Sequence, residues 1–128
     1  MPDRSQVDRL LDILDEVKVL DDALSSVTFN AFEQSPILQR AVLHALQTIG
    51  EAANYLTEET TAAIAEAPWA QVRGMCNRIV HGYFGIDLAA VWRTARDEAP
   101  ALARMIRAAR IAGLSSARCG ANSSSSHL

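Results

Sequence analysis

At 128 residues the chain suits one domain, which can bury roughly two-thirds of the surface its unfolded form exposes, so neither a metal nor a disulfide staple is required. Hydrophobic residues make up 49% and aromatics only 5%, a balance led by alanine and leucine that favours helices packed through small and aliphatic side chains. The net charge of −3 hides a split: residues 1–70 hold 4 Lys/Arg against 12 Asp/Glu, whereas residues 71–118 hold 8 arginines against 3 acids. Such a chain can meet a polyanion with one surface while the other meets a basic partner or keeps it in solution.

The N-terminal "MPDRSQVDRLLDILDE" is charged throughout and unlike a signal peptide, and no run approaches 18 apolar residues. A soluble, cytoplasmic protein with no membrane span is expected. Val7, Leu10, Leu11, Leu14, Val17, Leu20 and Leu24 recur every three or four positions, predicting an amphipathic helix over residues 3–25 with Asp8, Asp12, Asp15 and Asp22 outward. A loop is expected through "SSVTFNAFEQ", after which Ser35 supplies an N-cap and Pro36 the first helical position. The second helix should run to about Leu56, with Ile37, Leu38, Ala41, Val42, Ala45, Leu46, Ile49, Ala52, Ala53 and Leu56 on its inner face. "TEETTAAIAEA", from Thr57, predicts a short third helix. Pro68 separates it from a fourth, "PWAQVRGMCNRIVHGYF", with Trp69, Val72, Met75, Ile79 and Val80 inward.

Asp87 reads as the N-cap of a fifth helix that Pro100 either kinks or restarts, and whose apolar set continues through Leu102, Met105, Ile106 and Ala109 until Gly113. Five helices with short connections predict an all-α antiparallel bundle over residues 1–112. Residues 113–128, "GLSSARCGANSSSSHL", carry too little apolar content to offset the cost of ordering and are expected to form a disordered or appended tail. Cys76 and Cys119 sit in unlike surroundings and read as free thiols.

No CxxC, HExxH, GxGxxG or Walker sequence is present, and His44, His81 and His127 are far apart, so no metal or cofactor is expected. The carboxylates of the first helix lack a Glu-x-x-His companion and read as a solvated face. His44 is expected to be a partly buried packing residue, and His127 lies in the tail. His81 has different company: Arg73, Asn77 and His81 fall at i, i+4 and i+8 of one helix face, with Arg78 a turn before the histidine and glycines on either side of Tyr83. An imidazole that exchanges protons near neutral pH beside arginines that bind phosphate oxygens suits metal-free RNA cleavage by the ribose 2′-OH. From spacing alone, a structural histidine at a helix end remains the commoner outcome.

"IGEAANYL" (49–56) and "PWAQVRGMCNRIVHGYFGIDLAAVW" (68–92) resemble the HepT-like toxins of the HEPN superfamily, and the opening "DRLLDILDEVKVL" fits their first helix. The resemblance covers roughly residues 4–110. It implies an all-α fold, in agreement with the periodicity, and a motif of an arginine, four to six residues, a histidine, and a tyrosine two places later. His81 matches the histidine, Tyr83 the tyrosine, and Asn77 the polar residue after the arginine. The arginine position is Cys76, and neither Arg73 nor Arg78 has the right spacing to replace it. A single base change turns an arginine codon into a cysteine codon, so an inactivating substitution, selected or engineered, fits the pattern.

The resemblance further implies the toxin of a toxin–antitoxin pair, an endoribonuclease scaffold inactive or weakened by Cys76. His81 would be its acid/base, Asn77 an orienting or phosphate-contacting residue, and Arg73 and Arg78 would contact RNA, whether tRNA or mRNA. It implies a homodimer whose signature helices line one cleft, and a minimal nucleotidyltransferase antitoxin that transfers AMP to Tyr83. The alternative is a non-catalytic HEPN protein that only binds a nucleotidyltransferase partner or RNA.

Overall fold

A computed structural model of the chain describes residues 4–74 and 87–109. In chain order these form α1 (Arg4–Leu24), α2 (Phe29–Glu33), α3 (Pro36–Asn54), α4 (Glu58–Ala63), a helical stretch over residues 69–74 that we call α5, α6 (Leu88–Arg93), a π-helical stretch Thr94–Glu98, and α7 (Ala99–Ala109). No strand occurs among the described residues, and none of their helices is long and apolar enough to cross a membrane. The all-α bundle stands. The boundary after residue 112 and the tail lie outside the described residues.

The three- and four-residue spacing of apolar side chains builds the core directly. Val7, Leu10, Ile13, Val17, Leu20 and Leu24 of α1 are buried against Val42, Leu46, Ile49 and Ala53 of α3, and Leu102 and Ile106 of α7 close the third side. α1 and α3 run antiparallel: Gln6, near the start of α1, bonds to the backbone at the end of α3. As expected, Asp8, Asp12, Asp15 and Asp22 are all exposed on the outer face of α1.

Several expectations are corrected. The stretch after α1 is not all loop, because Thr28 Oγ1 accepts from the Ala31 N–H at 3.1 Å and caps α2. The side-chain Nε2 of Gln39 donates to the carbonyls of Phe32 and Glu33, both at 3.0 Å, and satisfies the end of a helix too short to stand alone. Phe32 is fully buried, 6.3 Å from Phe29 and 5.3 Å from Trp92 between ring centroids. Ser35 and Pro36 start α3 as expected, the serine Oγ accepting from the Leu38 N–H at 3.2 Å. Ile37, expected inward, is 81% exposed; it lies nine positions before Leu46, a half-turn away at about 100° per residue. Ala41 and His44, on the same side, are exposed as well. The third helix of the sequence reading shortens to α4, capped by Thr57, and Ile64 leaves helical geometry.

Of the two expectations for Pro100, a kink or a restart, the restart does not occur: the helix runs on through it, with a local distortion just before it. Pro100 has no N–H to return to the Arg96 carbonyl, and just before it the chain widens, the Ala99 N–H reaching Thr94 five residues back. Val91, Ala95 and Ala99 are spaced by four twice in succession, more than the 3.6 of an α-turn, and the wider turn keeps all three buried. The expected fifth helix is therefore α6, the π stretch and α7 in one run.

Candidate functional site

Cys76, Asn77, Arg78, His81 and Tyr83 lie outside the described residues. Arg73 and Asp87, on either side, are described, and the structure shows how each flank of the motif is fastened. Downstream, Asp87 caps α6 as expected, its Oδ1 accepting from the Ala89 and Ala90 N–H groups at 3.0 and 3.2 Å. One turn on, the buried Val91 and half-buried Trp92 fix α6 against α2, Trp92 meeting Phe29 edge-on at 5.8 Å. Arg96 lies 5.1 Å from the Trp92 ring centroid and donates from Nη1 to the carbonyls of Leu24 and Val27, both at 3.2 Å, closing the end of α1.

Upstream, the corner between α3 and α4 is held by side chains from two other elements. The side chain of Gln6, 6% exposed, donates from Nε2 to the Tyr55 carbonyl at 2.9 Å and accepts at Oε1 from the Thr57 N–H at 2.8 Å. Arg73 donates from Nε to the Ala53 carbonyl at 3.1 Å and from Nη2 to the Leu56 carbonyl at 3.0 Å. Both carbonyls lie at or just beyond the C-terminal, negative end of the α3 dipole, where a guanidinium is favoured. Trp69, 7% exposed, adds a bond from Nε1 to the Ile64 carbonyl at 3.0 Å, and Val72 is buried beside it. The segment that leads into the motif is thus fixed in rotation three residues before Cys76.

Arg73, read from sequence as an RNA contact, therefore has two of its donors on the backbone at the α3–α4 corner. The sequence reading did not find the Gln6 clamp or the capping parts of Arg73 and Arg96. A signal for Gln6 existed, because it adjoins Val7 in the inward stripe of α1 where an unpaired amide would be costly. Among the described residues no group of three His, Cys, Asp or Glu side chains is placed to hold a metal ion.

The family described as "Ribonuclease HepT-like" matches residues 13–109. The chain is 32% identical over 95 residues to a protein of Caldanaerobacter subterraneus subsp. tengcongensis named "Putative RNase", covering 74% of this chain and 85% of that one. It is 30% identical over 99 residues to the "Probable ribonuclease HepT" of Thermococcus cleftensis, covering 77% and 90%. It is 28% identical over 97 residues to another "Putative RNase", from Methanocaldococcus jannaschii, covering 76% and 89%. No solved structure matches the chain.

Proposed function

The chain belongs to the HepT-like ribonuclease family of the HEPN superfamily, and from that premise we propose that it is the toxin component of a toxin–antitoxin pair, a metal-independent endoribonuclease scaffold silenced or weakened at Cys76. The observation that carries this reading is the family match across residues 13–109, which spans "GMCNRIVHGY" and contains the histidine and tyrosine but not the arginine of the motif. In the proposed chemistry His81 takes the proton of a ribose 2′-OH. The freed oxygen attacks the adjacent phosphorus, the 5′-oxygen leaves and takes up a proton, and a cyclic 2′,3′-phosphate remains. Asn77 orients the phosphate, and a cation at position 76 would stabilise the charge that builds on the phosphoryl oxygens.

A neutral thiol does not supply that cation. Loss of one such contact costs on the order of 10² to 10³ in rate, about 3–4 kcal/mol. Arg78 and Arg73 add positive charge to the RNA-facing side; Arg73, with Nε and Nη2 engaged by the backbone at the α3–α4 corner, contributes charge more than hydrogen bonds. Two copies pair so that their motifs line one cytoplasmic RNA cleft. A nucleotidyltransferase antitoxin adds AMP to Tyr83, whose new negative charge two residues from His81 repels the RNA backbone.

The test incubates the chain as given, Cys76→Arg, and Cys76→Arg/His81→Ala with total RNA in EDTA. Cleavage by Cys76→Arg, at least 10²-fold above the other two, is expected. Silence from all three overturns the catalytic reading and leaves the alternative, a non-catalytic HEPN protein that binds a nucleotidyltransferase partner or RNA; the cysteine itself is the observation that favours that alternative.

A further inference from the structure

The outer face of α3 is unlike an ordinary solvated helix face. Along its 19 residues the only formal charges are Arg40 and Glu51, both exposed, and neither has an ion-pair partner among the described residues. Three large apolar side chains are exposed among the described residues, and two of them bracket this face: Ile37 at 81% and Tyr55 at 62%. Between them, Thr48 turns its hydroxyl back to the His44 carbonyl at 3.0 Å, which removes a polar group that would otherwise face water. Arg9 stacks on Tyr55 at 4.2 Å from the ring centroid and holds one face of the ring, leaving the other presented.

The order of these groups reads the same from either end. Ile37 and Tyr55 are centred on Leu46, as are His44 and Thr48, and the centre of Arg40 and Glu51 lies half a residue away, about 0.75 Å along the axis. Two copies of α3 laid antiparallel across a two-fold axis at Leu46 therefore set Ile37 of each against Tyr55 of the other and Arg40 of each beside Glu51 of the other, over about 27 Å. Two Arg40–Glu51 pairs form across the axis, and each exposed apolar side chain of this face is covered.

We propose that the outer face of α3 is a contact surface for a second copy of this chain, docked antiparallel with Arg40 and Glu51 exchanged across the axis. It is a different contact from the motif cleft. Antiparallel packing sends the two C-terminal ends of α3, and the α5 segments that Arg73 ties to them, to opposite ends of the pair. A single helix pair lies at or below the small end of stable interfaces, roughly 1,200 Å² in total, so the association depends on concentration.

The experiment measures the solution mass of the full chain by light scattering at rising concentration, for the wild type, Arg40→Glu, Glu51→Arg and the double reversal. Each single reversal places like charges together twice and should halve the mass at the highest concentration, or reduce it further. The double reversal restores opposite charges and should restore the mass. Circular dichroism checks that each variant folds, and Ile37→Lys, which leaves the charges untouched, should also lower the mass. Equal masses for all variants, a double reversal that stays small, or a wild type that is monomeric throughout would each overturn the proposal. RNA cleavage is not part of the readout, so failure of the catalytic reading leaves this result interpretable.

Discussion

α1 and α3, the two longest helices among the described residues, lie side by side and bury the same kind of inner face, yet their outer faces differ sharply in charge. α1 presents exposed Asp8, Asp12, Asp15, Lys18, Asp21 and Asp22, with Lys18 and Asp22 paired at 3.2 Å. α3 presents Arg40 and Glu51 among neutral and apolar side chains. A helix that faces only water has no need to remove charge, and dense charge on one face works against association there. The one large apolar side chain exposed on α1, Val19, stands beside Lys18 and close to Asp21 and Asp22 in sequence, whereas Ile37 and Tyr55 bracket a face of α3 with two charges.

Substitutions on the two helices separate their inner faces, the clamp between them and their outer faces. The largest effect belongs to the inner faces, where the two helices should behave alike. Ile13→Ala in α1 and Ile49→Ala in α3, both at fully buried positions, should each lower the unfolding free energy by about 2–5 kcal/mol in a urea titration. A much smaller loss from one of them would show that its side of the core is looser than the contacts imply. Next comes the clamp that joins the helices: Gln6→Leu leaves the Tyr55 carbonyl and the Thr57 N–H without their partner, and should cost about 1–3 kcal/mol in the same titration. The smallest effect on stability belongs to the outer faces. Asp12→Lys and Ile37→Lys should both stay within about 0.5 kcal/mol of the wild type, and only Ile37→Lys should change the solution mass. If Asp12→Lys lowers the mass equally, the two outer faces are not different in the way their charges indicate.

Much of the fold is legible in the sequence because its causes are local. The three- and four-residue spacing locates α1 and α3, Ser35-Pro36 marks the start of α3, and Asp87 marks that of α6. What escaped depends on partners distant in sequence. α2 holds because Gln39 closes its end and Phe32 fills a pocket beside Trp92, neither of which the composition of "SSVTFNAFEQ" reveals. Ile37 is apolar and heads an apolar run, yet it is exposed, because helical phase, not residue type, decides the face. His44 follows the same rule. The candidate site divides differently: the motif residues are recognisable from their order along the chain, whereas the clamp that aims α5 is visible only once Gln6, Tyr55 and Arg73 are seen together.

The π stretch before Pro100 has a consequence for how this chain can change in length. An α-helix advances about 100° per residue, so the extra residue taken up between Thr94 and Glu98 sets the phase of everything after it. Deleting one residue there would let an unbroken α-helix form with α7 close to its present phase, whereas keeping the residue in plain α geometry would turn α7 by about a quarter-turn relative to α6. In that second case Leu102 and Ile106, now buried, would leave the α1 side. The wide turn acts as a phase adjuster between two parts of one helix, and homologous chains that lack it should carry their apolar positions after it shifted by one.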